Sequence, residues 1–526
     1  MSKTTAELVS WIKSQDAIRT ILVEVHDVTG SGSSVIRLSN KPYTTGQGET
    51  PASTSYLPLL VGSLSYNETL SLDGSASIGY GDIQITNTDG ARDTWLTWTW
   101  VNKRITIDIG DPRWARDDFY RIFDGLVGDI SAPSRNTLSI TLLNKIERLN
   151  TAISEKTLAK LYPTVANGGI AGNENKPVGA VQNRDSILPL CFGECFNVTP
   201  LKISSALGTG TTNEEIYMVH DGAIQGIIEV RDNGVPLVEG TGYTANLTNG
   251  TITLLRPPAG TVTCSVQGST LGGTYSNKIV DIIKYIVKTY GKQPLVDSDL
   301  SLSNLNDFNT LHPQPVGMYV TDRENVLDVC QRVANSVVAS VHSSYAGELY
   351  LVKLDLPGVD VSAIGFSTTI TESSLMYEGI SISERPLVRG SIKLGYCRNW
   401  TPQDTLAGAV PSASTDNYKK EWFFEVKKDS SVLTTYKITE QPDEYEESLL
   451  LVQADAITEA NRRLTLWKTQ RSVYTCNCFS EFLPITIGMK VSIENYRYGL
   501  TPAKDGVVVS TQKDWITGNV TLGVLV

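Results

Sequence analysis

Apolar and polar residues alternate through residues 78–130, and this alternation limits the possible folds more strongly than any other feature of the chain. The period of two is clearest at Ile83 and Ile85 and again along residues 104–109, and it predicts half-buried β-strands. Residues 87–90 are of types that tolerate a left-handed backbone, so they predict a turn. The stretch therefore predicts a compact antiparallel β unit, and it contains no arrangement of residues typical of catalysis.

Five residues in the middle of this stretch allow two interpretations. Leu96, Trp98 and Trp100 alternate with threonines, which predicts a strand with an aromatic core face and a polar outer face. The four tryptophans Trp95, Trp98, Trp100 and Trp114 could instead form a sugar-binding platform. We favour the core.

Composition excludes several classes of protein. A chain of 526 residues should divide into several domains, and its 43 glycines favour many turns and a β-rich architecture. The formal net charge of −11 argues against a protein that grips nucleic acid. No apolar run approaches the roughly 18 residues of a membrane span, so we expect neither a signal peptide nor stable membrane insertion.

Seven cysteines are present. The pairs Cys191 with Cys195 and Cys476 with Cys478 lack the spacing of a zinc ribbon, and no histidine pair lies near them. The sequence therefore predicts reduced thiols in a protein that folds in a cytosol.

Predicted elements alternate between β regions and helices. The first region begins with a helix opened by a capping box at Thr4 and Glu7. A long polar loop at 42–55 is typical of a functional or partner-ordered loop. Residues 145–158 predict a short helical exit, and residues 162–185 a polar connector.

The second half begins with a small β unit at 177–268, whose hairpin turns at 232–234 and 248–250 predict an autonomous insertion. Three helices are predicted after it. They span 276–290, a segment opened by a capping box at 321–324, and 449–467. Further strands are predicted at 418–426, 473–479, 489–493, 507–511 and 520–526.

These elements predict a mainly β, multidomain protein with an α/β segment. Two tube-like antiparallel β domains would flank an inserted small β domain. The predicted divisions are an N-terminal helix at 1–20, a first tube-like domain at 21–160, the inserted domain at 161–275, an α/β domain at 276–355 and a second tube-like domain at 356–526.

An internal echo supports two similar β domains. Residues 124–127 followed by 138–142 match residues 505–508 followed by 520–524, with spacings that differ by one residue. Such hairpin patterns recur in β proteins, so the match gains weight only beside other observations.

No constellation of catalytic residues is recognisable. The four histidines, His26, His220, His312 and His342, lie at predicted strand ends, in a loop or after a helix, where surface or turn contacts are usual. The segment 208–210 lacks the third glycine of a nucleotide loop.

Two groups of acidic residues could suggest glycosidase carboxylates or a cation site, but adjacent acids on loops are more often solvated. They are Asp117, Asp118, Asp443, Glu444, Glu446 and Glu447. We therefore predict no catalytic, cofactor-binding or metal-binding residues and a protein that is not an enzyme.

Several short motifs resemble one family. The turn at 87–90, the strand from Arg104 to Gly110 and the Phe123-Asp124-Gly125 strand are similar to the first β domain of tail hub proteins (baseplate hub or tail tip) of long-tailed bacteriophages. Residues 176–177 with 191–200, and residues 395–400, resemble the same group.

This resemblance implies a structural virion protein, the central hub at the distal end of a siphophage tail. It implies a homotrimer whose six tube-like domains match a sixfold tube and whose opening gates DNA ejection. The implied partners are the distal tail protein ring, the tape measure protein and tail fibre or tip proteins, without specific nucleic-acid binding. The implied location is the virion tail tip, after assembly in the host bacterial cytoplasm. The alternatives are a carbohydrate-binding phage adhesin and a tail-associated hydrolase.

Overall fold

The fold is mainly β and is divided among several sheets. The computed structural model describes residues 5–14, 16–30, 32, 34–158, 183, 185–207, 213–359, 368–440 and 444–526. Both Thr4 of the predicted capping box and most of the predicted connector at 162–185 lie outside these residues. The predicted fold class, a multidomain β protein with an α/β segment, is confirmed.

In chain order the strands are β1 (Thr20–His26), β2 (Val35–Ser39), β3 (Tyr43–Thr44), β4 (Ser55–Tyr56), β5 (Leu60–Val61), β6 (Ser65–Leu70), β7 (Ala76–Tyr80), β8 (Ile83–Thr86), β9 (Arg104–Gly110), β10 (Tyr120–Ser134), β11 (Thr137–Asn144), β12 (Leu190–Val198), β13 (Leu201–Leu207), β14 (Asn213–Met218), β15 (Ile224–Asp232), β16 (Val235–Leu237), β17 (Tyr243–Asn246), β18 (Thr251–Leu254), β19 (Val262–Ser269), β20 (Gly317–Val320), β21 (Ala339–Ser343), β22 (Leu349–Lys353), β23 (Thr368–Ile370), β24 (Leu375–Glu384), β25 (Ser391–Tyr396), β26 (Phe423–Lys428), β27 (Val473–Cys478), β28 (Lys490–Asn495), β29 (Leu500–Asp514) and β30 (Val520–Leu525).

The α-helices are α1 (Thr5–Lys13), α2 (Ile279–Thr289), α3 (Leu302–Leu311), α4 (Val326–Asn335), α5 (Ser412–Lys419), α6 (Ser430–Tyr436) and α7 (Gln453–Trp467). Among the described residues, no helix combines the length and apolar character needed to cross a membrane.

Two large sheets are built mainly from strands of the two predicted tube-like regions, one sheet for each region. The first has the strand order β2-β1-β9-β10-β11-β8-β5, and the second has the order β23-β28-β29-β30-β27-β24. Apolar residues of both sheets, including Val25 and Leu522, belong to one continuous hydrophobic core. Burial of this shared apolar area is the main force that holds the two sheets together.

The centres of the two sheets repeat one another. We call β9-β10-β11 the first repeat and β28-β29-β30 the second repeat. In the first, Asp124 pairs with Thr106 across the β9–β10 ladder, and in the second Asp505 pairs with Ser492 across the β28–β29 ladder. The aspartates belong to the Asp-Gly pairs of the internal echo, so the sequence match is also a match of strand register.

A bulge strengthens the equivalence. The β10–β11 ladder is interrupted between Val127 and Asp129, and the β29–β30 ladder between Val508 and Ser510. In both repeats the interruption begins three residues after the Asp of the Asp-Gly pair. Bulges are conserved features of related folds because they bend and twist a strand locally, so a shared bulge indicates one duplicated unit.

The predicted insertion does not stand apart from its neighbours. Its hairpins β15–β16 and β17–β18 form at the predicted turns, but its sheet, β16-β15-β19-β12-β20, is completed by a strand from the α/β segment. Phe192 on β12 also belongs to the hydrophobic core of helices α2 and α4. The insertion is thus joined to the α/β segment through the β12–β20 ladder, and its autonomy stays a prediction.

The alternation predicted a strand for the tryptophan-rich segment, and this prediction is wrong. Residues Asp93–Thr97 form a 3₁₀ helix, and the chain turns again before β9. Trp95 and Trp100 still enter the core, at 8% and 2% exposure, while Leu96 is 44% exposed. The core interpretation is therefore confirmed for Trp100, whereas Leu96, which was predicted on the same face, is exposed and Trp95 is buried.

Several boundaries also differ from the predictions. The capping box at 321–324 is wrong, because α4 begins at Val326 after Asn325, with no side-chain cap. The predicted helix at 449–467 begins at Gln453, since Leu450 extends to bridge Val316.

Local contacts explain two further differences. The helical exit at 145–158 is reduced to a 3₁₀ helix at Lys145–Leu149, after which Ala152 and Thr157 form β-bridges instead. The predicted strand at 418–426 begins at Phe423, because residues up to Lys419 continue α5.

The β12–β20 ladder can be tested with one methyl group. A Cβ added at Gly317 would lie 1.7 Å from the Glu194 carbonyl oxygen, so Gly317→Ala should separate the two strands. We expect a loss of about 3 kcal/mol in the free energy of unfolding, measured by urea denaturation. Gly273→Ala is the control, because its Cβ meets nothing within 4 Å. Equal stability of the two variants would show that the ladder does not support the fold.

Candidate functional site: the junction between the two repeats

A hairpin from the first β region completes the second sheet. Strand β6 pairs antiparallel with β29, from Ser510 opposite Thr69 to Asp514 opposite Ser65. Its partner β7 lies on the outer side of β6. The hairpin β6–β7 thus joins segments of the chain that lie more than 400 residues apart in sequence.

The tip of this hairpin rests on the α/β segment. The Ala76 N–H donates to the Ser340 hydroxyl over 3.0 Å, and Gly74 lies so close to Val338 that a Cβ would come within 2.4 Å of its Cγ1. Gly74 has a φ of +90°, a left-handed conformation that favours glycine. The hairpin therefore links its own β region to the second sheet and to the α/β segment.

A buried carboxylate lies at the centre of this junction. Glu68 on β6 is 1% exposed. The Tyr66 hydroxyl donates to its Oε1 over 2.7 Å, and the Thr511 hydroxyl to its Oε2 over 3.1 Å. The His342 Nε2 lies 3.3 Å from the same Oε1. Burial alone would raise the pKa of Glu68, but the hydrogen bond from His342 and the charge of Lys513 hold that pKa below its ordinary value.

A buried lysine faces this carboxylate. Lys513 on β29 is 1% exposed, and its Nζ lies 5.3 Å from the centroid of the Tyr66 ring. Among the described residues the Nζ has no hydrogen-bond partner. Burial lowers the pKa of Lys513 to about 8, although the charge of Glu68 opposes the shift. We call Tyr66, Glu68, His342, Thr511 and Lys513 the junction cluster.

Sequence alternation explains why Glu68 is buried. Tyr66, Glu68 and Leu70 occupy the inward positions of β6, and Asn67 and Thr69 point outward. A glutamate on the apolar face of an alternating strand is a signal of a buried polar contact, because ionised side chains are rarely buried without partners. Glu68 was not among the candidate site residues predicted from the sequence.

A second charged network holds the long loop at 42–55. Arg116 donates from Nη2 to Asp108 over 2.7 Å and from Nε to the Tyr56 hydroxyl over 2.9 Å. Its backbone N–H donates to Glu49 in the loop over 3.2 Å. The Tyr56 hydroxyl in turn donates to Glu24. The loop expected to be functional or partner-ordered is thus ordered by its own chain.

His220 is buried and His312 is half-buried, and both make structural contacts. The Nδ1 of His220 accepts a hydrogen bond from the Cys191 backbone N–H over 3.0 Å, and burial lowers its pKa to about 4. The Nε2 of His312 lies 3.2 Å from the Lys353 Nζ, and burial lowers its pKa to about 4 as well. His342 belongs to the junction cluster, and His26 is half-buried on β1. The structure brings none of the four histidines together.

The acidic groups also separate. Glu446 forms ion pairs with Arg389 and Arg463, each at 2.6 Å, while Glu444, Glu447 and Asp117 are exposed. Asp443 and the segment 208–210 lie outside the described residues. Among the described residues no group of three or more histidine, cysteine or acidic side chains could hold a metal ion.

The tryptophans pack on one another instead of forming a platform. The Trp100 Nε1 donates to the Trp95 carbonyl over 2.7 Å, and the rings of Trp95 and Trp98 stack with centroids 6.0 Å apart. Trp114 packs against Trp11 of α1, with centroids 4.8 Å apart. These contacts use the ring faces that a sugar would need.

The central carboxylate predicts a large mutational effect. Glu68→Ala should lower the free energy of unfolding by about 3–5 kcal/mol, because it leaves the buried charge of Lys513 without compensation. Tyr66→Phe is the matched control on the same strand, since it removes one hydrogen bond and should cost only about 1 kcal/mol. Urea denaturation of both variants measures the difference. Equal losses would show that the carboxylate does not hold the junction.

Lys513 predicts a pH dependence. Its pKa is lowered from 10.5 to about 8 on folding, so the unfolded chain binds more protons between these values and stability rises with pH across that window. The full effect corresponds to about 3 kcal/mol. In Lys513→Met this contribution should be missing.

The readout is the difference in stability between wild type and Lys513→Met, followed from pH 7.5 to 9.5. Other buried groups, such as Cys264 and Cys330 with their raised pKa values, act equally in both proteins and cancel. A difference that stays constant with pH would contradict the lowered pKa of the lysine.

Comparisons with known proteins were made on sequence and on structure. No protein-family model matches the chain, and no curated protein matches it. Several solved structures do match the chain. The 43 kDa tail protein of prophage MuSo2 from Shewanella oneidensis is 10% identical, with a TM-score of 0.35 and coverage of 97% of this chain and 98% of that one.

Two further structures are similar. Prophage tail protein gp18 from Listeria monocytogenes EGD-e is 9% identical, with a TM-score of 0.39 and coverage of 95% of this chain and 94% of that one. A chain in the virion of a native gene transfer agent particle is 11% identical, with a TM-score of 0.41 and coverage of 64% and 84%. The proteins that this chain is similar to are thus components of phage tails and of a virion.

Proposed function

We propose that this chain is a structural protein of a phage tail, and that it forms the central hub at the distal end of that tail. The observation that carries the proposal is the duplicated unit, in which β9-β10-β11 and β28-β29-β30 share register and bulge position. The hub-like motifs of the sequence lie partly in the first of these repeats, at Arg104–Gly110 and around Asp124.

A unit that is duplicated within one chain allows a threefold assembly to contact a sixfold tube. Three chains carry six copies of the repeated unit, so a trimer can present a sixfold face to a sixfold tube. Ring closure also removes exposed sheet edges, which otherwise promote aggregation. We therefore propose a homotrimer in which the two repeats alternate around a central opening.

The proposed partners follow from this position. The upper face would contact the distal tail protein ring and the end of the tape measure protein, and the lower face would contact tail fibre or tip proteins. The net charge of −11 supports a channel that DNA passes without being held, since each basic contact to a phosphate adds affinity. The action we propose is mechanical and involves no catalysis.

Mass measurement tests the assembly. We expect a homotrimer by native mass spectrometry or light scattering, alone or together with the distal tail protein ring, and a central opening in negative-stain images. The control is Gly273→Ala, which should assemble as the wild type does. A protein that stays monomeric even with the distal ring present would overturn the proposed hub.

A further inference from the structure

One strand of the first repeat has an unpaired edge. Strand β9 pairs with β10 only as far as Leu126, whereas β10 continues to Ser134. Beyond the bulge, from Asp129 onward, β10 pairs with β11 on one side. On its other side no strand in the described parts of the chain pairs with it.

The equivalent edge of the second repeat is occupied. Strand β28 likewise leaves β29 at Val507, and from Ser510 onward β29 pairs with β6 on that same side. Because the two bulges align, Ser510 stands where Asp129 stands in the first repeat. One repeat therefore carries a strand at a position that the other repeat leaves open.

Backbone groups at the open edge point outward. The Ile130 N–H has as its acceptor the Oδ1 of the neighbouring Asp129, at 2.8 Å, instead of another strand. Ser131 pairs with Ser139 of β11, and directions alternate along a strand, so the N–H of the next residue, Ala132, points away from β11. A second irregularity of the β10–β11 ladder lies between Ser131 and Ser134, and Ala132 has no partner on β11. Asp129, Ser131 and Ala132 are exposed.

The edge is short and is limited at its far end. Pro133 follows Ala132 and has no N–H to donate, and proline on an edge strand prevents further pairing. An incoming strand would thus pair with residues 129–132 alone. The occupied edge of β29 is of similar length, from Ser510 to Asp514.

We propose that the edge of β10 at residues 129–132 receives a strand from a second copy of this chain. The hairpin β6–β7 of the same chain is already bound to β29, so it cannot fill both edges. In a ring where the two repeats alternate, each first repeat has a second repeat on either side. One of these neighbours belongs to the same chain, and the other belongs to the adjacent chain. The junction at β29 shows the form of the contact within the chain, and the open edge of β10 offers the place for the other.

This inference rests on the proposed ring, and the experiment distinguishes failure of the β10 interface from failure of the ring itself. Ala132→Pro removes the outward N–H while keeping the ladder to β11, and Ser131 before it is already extended, as a residue preceding proline must be. Ala132→Ser is the matched control, because it changes the side chain and keeps the N–H. Circular dichroism and thermal melting verify that both variants fold.

We expect Ala132→Ser to form trimers as the wild type does, and Ala132→Pro to need a protein concentration at least about tenfold higher, since one interstrand hydrogen bond, worth about 1 kcal/mol, is lost at each interface of the ring. If the Ala132→Pro trimer is as stable as the wild-type trimer, the proposed interface at β10 is wrong, whereas the proposed hub is not contradicted. A monomeric wild type would overturn both.

Hydrogen exchange provides the second measurement, which does not depend on the proline variant folding. The amides of residues 130 and 132 should exchange rapidly in dissociated wild-type chains and slowly in the assembly. Protection already present in the dissociated chain would show that a segment of the same chain covers the edge, and it would overturn the role of a second copy.

Discussion

The ladder between β6 and β29 is the constraint on which the relation between the two repeats depends. It joins a strand near residue 68 to one near residue 511, and it buries the carboxylate of Glu68 between them. Separating the two sheets would expose apolar core and would also break the contacts that Tyr66, Thr511 and His342 make to the buried Glu68 carboxylate. Low dielectric surroundings make such groups costly to leave unpaired, so the two repeats hold one relative orientation.

Around the duplicated unit the two sheets have diverged. Strand β1 runs antiparallel to β9, whereas β23 runs parallel to β28. A long insertion with β25, β26 and α7 lies between β24 and β27, while only the short strands β3 to β5 and the hairpin β6–β7 lie between β2 and β8. The conserved part is therefore the three central strands with their bulge. This is the part where a change of register would turn every inward side chain outward.

Local patterns predicted much of the fold, and the failures have physical causes. Alternation located strands such as β8 and β27, and turn residues located the β17–β18 hairpin, because both signals act within a few residues. The tryptophan segment failed because a 3₁₀ helix has three residues per turn and a strand two, so Trp95 is buried and Leu96 is exposed. The start of α7 failed because Leu450 finds a β partner at Val316, a contact that sequence patterns do not contain.

The junction cluster could be anticipated only in part. Glu68 stands on an apolar face, which marks it as unusual, but its partners His342 and Lys513 lie 274 and 445 residues away and belong to other elements. Apolar residues at positions 68 and 513 together would also be buried there, and replacing both members of a buried charge pair in this way is often neutral for stability. What the carboxylate adds is register. A slip of β6 by one residue would turn Asn67 and Thr69 inward and move Glu68 away from Tyr66, Thr511 and His342, so the polar cluster penalises alignments that an apolar contact would tolerate.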